Sequence, residues 1–159
     1  MARRIDRYFE QYAAYHRTPG NKLCHYVGIP LIVTTLFGLL GSLPIGSGSL
    51  AGAGLIRMDC GVVLWLAALI FYLSLDWKLA VPFALFTAGL YFLGRAIPLG
   101  WLWGLFVLGW IFQGVGHYRF EKNSPAFVKN FEHLLIGPLW IFARSVGYSQ
   151  LPVDTASST

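Results

Sequence analysis

The stretch that decides the fold runs from Cys60 to Leu93 and reads CGVVLWLAALIFYLSLDWKLAVPFALFTAGLYFL. Within it only Asp76 and Lys78 carry charge, and they flank Trp77. The apolar runs on either side do not alternate, and both are far longer than a buried strand of about 4–8 residues. They read as two membrane helices, Cys60–Leu75 and Leu79–Leu93, joined by a tight polar turn at Asp76-Trp77-Lys78. At 1.5 Å of rise per residue the first run reaches only about 24 Å, short of a ~30 Å hydrocarbon core. Trp77 and Lys78 would make up the difference by sitting at the interface.

Two further apolar stretches lie outward from this pair, Tyr26–Ile45 before it and Ala96–Gly116 after it. A glycine-rich loop, Gly46–Gly54, and the polar triplet Arg57-Met58-Asp59 separate the first stretch from Cys60. The expected architecture is an all-α integral membrane bundle of four transmembrane helices. Composition agrees. The 159 residues are 56% hydrophobic, 16% aromatic and only 12% charged, with a mean hydropathy of +0.58. A soluble domain of this size cannot hide so much apolar surface, which excludes a disordered chain, a coiled coil and an ordinary soluble enzyme. The net charge of +5 carries no implication of nucleic acid; in a membrane protein the position of the cations is what matters. Four spans put Arg3, Arg4, Arg7, Arg17, Lys22, Lys78, Arg119, Lys122, Lys129 and Arg144 on one side, with Arg57 and Arg95 on the other. The positive-inside rule then places both termini in the cytoplasm, the membrane being the inner (plasma) membrane in a bacterium and the endoplasmic reticulum in a eukaryote.

Two flanking segments read as helices that do not span. Ile5, Tyr8, Phe9, Tyr12 and His16 fall on one face of an N-terminal amphipathic helix, expected to lie on the membrane. Asn123-Ser124-Pro125 reads as a cap followed by proline in the first helical turn. The helix it opens is expected to break near Gly137-Pro138, leaving Leu139–Ala143 interfacial or re-entrant. Residues 1–147 read as a single membrane domain and 148–159 as a polar, disordered tail. Gly100 and Gly104 form one GxxxG, read as helix packing. Cys24 and Cys60 form no CxxC pair and read as buried thiols.

All four histidines, His16, His25, His117 and His133, fall on the cytoplasmic side of the four-span arrangement. Pro19-Gly20 is a turn signal that would fold the surface helix back and bring His16 towards His25. If the last span continues as a helix, Gln113, His117 and Glu121 share one stripe. Imidazoles with a carboxylate one turn away form a donor set suited to iron, zinc, copper or nickel, and Glu121 could equally orient a histidine. The bland readings are interfacial histidines at a headgroup boundary, and cations at Arg17, Lys22, Arg119 and Lys122 attracted to anionic lipid.

The residues Tyr15-His16, Asn21, His25 and Gly28-Ile29-Pro30 follow the pattern YHxxxxNxxxHxxGIP. Gln113, Gly116-His117, Glu121-Lys122 and Pro125-Ala126 follow QxxGHxxxEKxxPA. Together they resemble the two motifs of the Mpo-like membrane family, formerly a domain of unknown function, over roughly Ile5 to Val146. The resemblance implies an Fe(II)-dependent dioxygenase that uses O2 to shorten 2-hydroxy fatty acids by one carbon, releasing CO2. It implies His16, His25 and His117 as iron ligands and Glu121 as a ligand or its support. His133 lies outside the two motifs and joins the metal candidates as the fourth histidine. Glu121, Lys22 and Asn21 are the candidate catalytic groups, and Arg17, Lys22 and Lys122 the candidate receivers of the substrate carboxylate. Two other readings stay open on the residues alone: a haem-binding membrane electron carrier using two imidazoles, and a non-catalytic lipid-binding membrane protein.

Overall fold

A computed structural model describes residues 3–49, 57–128 and 130–148. The tail beyond residue 148, most of the glycine-rich loop and Lys129 lie outside the described residues. The elements are α1 (Arg4–Ala13), α2 (Pro19–Gly41), β1 (Pro44–Ser49), β2 (Arg57–Asp59), α3 (Cys60–Leu75), α4 (Trp77–Ala96) and α5 (Leu99–Val115). A π-helical turn (Gly116–Glu121), a 3-10 turn (Ala126–Val128) and α6 (His133–Ser145) complete the chain. The architecture is helical, with one short antiparallel ribbon, β1 against β2, where a loop is expected. Among the described residues three segments are long and apolar enough to cross a membrane: Pro19–Gly41, Trp77–Ala96 and Leu99–Glu121. The apolar helix Cys60–Leu75 is shorter, at 16 residues.

The chain forms two compact units, one of residues 30–108 and one of residues 1–29 with 109–159. In the first, Asp59 caps α3 by accepting the Val62 N–H at 3.0 Å, and it also accepts the Tyr91 hydroxyl of α4 at 2.6 Å. This satisfies a fully buried carboxylate from two elements at once. Trp65 of α3 donates its indole N–H to Thr87 of α4 at 3.0 Å. Asp76 alone makes the turn between α3 and α4. Its N–H donates to the Tyr72 carbonyl, and its carboxylate accepts from the N–H groups of Lys78 and Leu79. Close helix approach occurs at Gly38 and Gly94, where an added Cβ would strike the backbone of the facing helix. Among the described residues Gly100 and Gly104 have no such neighbour, so the GxxxG expected to pack meets no facing helix there. Ile70, Leu85 and Trp101 are each more than 70% exposed. Large apolar side chains pointing outward in this way are placed for a lipid environment rather than water.

The second unit departs from expectation in its flanks. α1 buries Ile5, Phe9 and Tyr12, the expected apolar stripe, but packs them against α6 rather than leaving them for the membrane. The periodicity specifies a stripe that must be covered and not what covers it. α6 does not break at Pro138. It continues to Ser145 with Ile136, Leu139, Trp140 and Ala143 buried, and this packing outweighs the local cost of a proline in the helix. Gly137 is required there, since a Cβ would come within 2.7 Å of the Tyr12 hydroxyl.

Candidate metal centre

The first span starts earlier than hydropathy implies, at Pro19, which occupies the first helical position, where its missing N–H costs nothing. α2 therefore carries Asn21, His25 and Gly28 on one face, at i, i+4 and i+7. α1 ends at Ala13 and the chain turns back through His16, whose N–H donates to the Ala13 carbonyl. At the end of α1 the Tyr12 carbonyl accepts the Tyr15 N–H at 3.1 Å, and its second lone pair faces the His16 ring, whose Nδ1 lies 2.7 Å from that oxygen. His25 Nδ1 lies 2.9 Å from the Asn21 carbonyl. A carbonyl only accepts, so both Nδ1 atoms carry the proton, and both Nε2 atoms present lone pairs.

Those two Nε2 atoms are 3.0 Å apart. His117, delivered by the π-helical turn after α5, completes the group: one ligand atom from each of His16, His25 and His117 lies within 4.8 Å of the others, and all three residues are buried. Their rings stand edge to face, with centroids 4.3, 4.9 and 4.8 Å apart. Burial, reinforced by the neighbouring His25, pushes His16 down to about 2, so it is neutral and ligand-ready at physiological pH. Tyr12 stacks on the His16 ring at 4.0 Å and fixes its plane.

A cation suits this arrangement. Facing lone pairs repel without one, and two nitrogens about 3.0 Å apart match adjacent ligands on an ion with bonds of ~2.1 Å. A π-turn is the kind of local widening often found where a helix presents a functional side chain. The turn closes at Lys122, whose backbone is left-handed (φ 54°) and whose N–H returns to the His117 carbonyl.

Glu121 is occupied elsewhere. Its carboxylate accepts the N–H groups of Arg17 (2.9 Å) and Thr18 (3.1 Å), the Thr18 hydroxyl (2.9 Å) and the Asn21 side-chain amide (3.1 Å). It thus caps α2 from a distant part of the chain, and it holds the residue whose carbonyl orients His25. Asn21 is fully buried. His133 is brought close but not into the group: its ring packs near those of Tyr12 (6.1 Å) and Tyr15 (6.3 Å), and both its nitrogens are buried without a hydrogen-bond partner among the described residues. Arg17 and Lys122 are exposed and Lys22 is partly buried. Thr18 and Trp140 join the surroundings, and so does Tyr12, which the sequence marks only as part of the apolar stripe of α1. Thr18 directly before Pro19 is a cap signature that could have marked it. The Tyr12–Trp140 contact, centroids 5.2 Å apart, leaves no such mark.

The family model described as 2-hydroxy-palmitic acid dioxygenase Mpo1-like matches residues 2–148. The 2-hydroxy-palmitic acid dioxygenase MPO1 of Saccharomyces cerevisiae is 31% identical over 135 residues, covering 82% of this chain and 72% of the yeast protein. No solved structure matches.

Proposed function

The chain belongs to the Mpo1-like family, and on that premise we propose that it is an iron-dependent membrane dioxygenase acting on 2-hydroxy fatty acids. One 2-hydroxy acid and one O2 give CO2, water and the acid one carbon shorter, with cleavage of C1–C2. The observation that carries this reading is the buried group of three imidazoles, two of them with lone pairs converging at 3.0 Å. His16, His25 and His117 would hold Fe(II), which supplies O2 activation and a docking point for the hydroxy acid.

The other residues position and neutralise. Glu121 and Asn21 hold the start of α2 so that His25 keeps its tautomer and direction. Tyr12 does the same for His16 through its carbonyl and its ring. Arg17, Lys22 and Lys122, at the polar end of α2 and beyond the π-turn, supply positive charge for the incoming carboxylate. His133 forms the wall beside the iron ligands, next to Tyr12 and Tyr15. The acyl tail stays in the bilayer.

The histidine group also supports four crossings. His16 and His25 stand at the start of α2, and His117 follows α5. Both ends meet at one site only if the chain between them crosses the membrane an even number of times, which makes the short α3 a crossing. Both termini are then on one side, and the cation distribution makes that side the cytoplasm. A haem carried by His16 and His25 fits less well, because their Nε2 atoms, 3.0 Å apart, are closer than the roughly 4 Å, twice a ~2.0–2.1 Å bond, that two ligands on opposite faces of one iron require.

The test is reconstitution with Fe(II) without oxygen, followed by 2-hydroxypalmitate and air, with products read by mass spectrometry. The C15 acid and CO2 are expected. Turnover without iron, or equal consumption of palmitate, would overturn the reading.

A further inference from the structure

We infer that Gln113 is a specificity-determining residue that recognises the 2-hydroxyl of the substrate; the inference rests on the function proposed above. Gln113 is only 6% exposed, and its side-chain nitrogen has no hydrogen-bond partner among the described residues. A buried amide donor without an acceptor is costly, and native proteins rarely keep one without a use. Its placement ties it to the metal group. It precedes His117 by four residues, so it lies one turn, about 6 Å, towards the middle of the span. Its amide nitrogen fills the space that a Cβ at Gly28 would occupy. Gly28 shares a face of α2 with Asn21 and His25. Gly116, in turn, lies against the Asn21 side-chain oxygen, at 2.5 Å from its would-be Cβ, and against His25 Cε1 at 3.4 Å. Gln113 therefore stands on the same seam as the histidines, one layer deeper.

Depth and chemistry select the substrate atom. A fatty acid entering from the bilayer keeps its carboxylate at the polar end, near Arg17 and Lys22, and its tail towards the middle. The carbon next below the carboxylate is C2. A donor one turn below the iron ligands thus meets the oxygen on C2. The donor is also neutral, which matches a hydroxyl. A carboxylate would be better served by a cation, and those lie at the surface end. A site that spends a buried donor on a substrate hydroxyl penalises the analogue lacking it, because the donor is then left unpaired.

The experiment is equilibrium binding of 2-hydroxypalmitate and of palmitate to the iron-loaded protein without oxygen, in wild type, Gln113→Met and Gln113→Glu. Iron content and thermal stability are measured on each. Gln113→Met should weaken 2-hydroxypalmitate on the order of tenfold while leaving palmitate and iron content unchanged. Gln113→Glu keeps the volume, loses the N–H donors, and should show the same selective loss if the Met variant does not fold. Wild-type preference retained in either folded variant, or equal weakening of both acids, would overturn the inference. A wild-type protein with no preference for the hydroxy acid would instead sink the proposed function, and the inference with it.

Discussion

His16 and His25 point their Nε2 atoms at each other across 3.0 Å, each with its Nδ1 tied to a backbone carbonyl four residues earlier. This is a constrained way to place two imidazoles. Neither ring can turn to bond the other without giving up its own carbonyl. One cation shared between them and His117 would relieve the arrangement.

On the proposed function, replacing any of the three with alanine would remove a ligand of the ion. His16→Ala, His25→Ala and His117→Ala should each lose iron and turnover while still inserting into the membrane. His133→Ala should retain iron, because its ring lies beside the group. Metal analysis of the four purified variants checks this. Iron loss in His133→Ala equal to that in His117→Ala would place His133 among the ligands.

Glu121 acts through α2. Glu121→Gln puts an N–H2 group where donors converge on a carboxylate oxygen, so at least one charge-assisted bond is lost. The expected cost is about 1.5–3 kcal/mol in folding stability, together with weaker iron binding through the loosened Asn21–His25 pair. Denaturant titration and iron-binding curves measure the two effects. Unchanged stability with abolished turnover would make Glu121 a participant in the chemistry instead.

Gly116 has no room for a side chain. A Cβ would sit 2.5 Å from the Asn21 oxygen and 3.1 Å from Cys24 Cβ. Gly116→Ala should therefore cost iron retention. Gly114→Ala, where nothing lies within 4 Å, is the control and should behave as wild type. Equal behaviour of the two variants would contradict the close approach of α2 to the π-turn.

The pH dependence of the metal-free protein has a definite sign. His16 is pushed down to about 2, whereas an imidazole in the unfolded chain titrates near ~6.5. Between those values the unfolded chain binds a proton that the folded chain refuses. Stability from this group is fully present above about 6.5. It is lost as the pH falls below that, by at most about 1.4 kcal/mol per pH unit. His16→Ala should flatten the profile in that window, and superimposable profiles would argue against a buried neutral His16.

Much of this was legible in the sequence, for physical reasons. Apolar runs bounded by Asp76-Trp77-Lys78 and Gly94-Arg95 leave little choice but membrane helices, because water cannot accommodate them. Pro19-Gly20 reads as the turn between His16 and His25, but the chain turns just before it, at residues 14–18, and Pro19 opens α2 instead. Other features leave no such trace. Glu121 follows His117 at a spacing that suits a shared ligand role. Its carboxylate turns instead to N–H groups of Arg17 and Thr18, and backbone donors carry no residue identity. The apolar face of α1 is periodic whether lipid or α6 covers it. Pro138 reads as a breaker by local propensity, and only the packing of Trp140 and its neighbours shows why the helix continues.

If His16, His25 and His117 hold one iron for this reaction, its loss with a single histidine is the sharpest signature. The most direct measurement is the iron content and visible spectrum of protein purified without oxygen, with His117→Ala alongside. One iron per chain, no Soret band, and loss of that iron in the variant are the predicted result. A strong Soret band, or stoichiometric iron that survives the loss of His117, would contradict it.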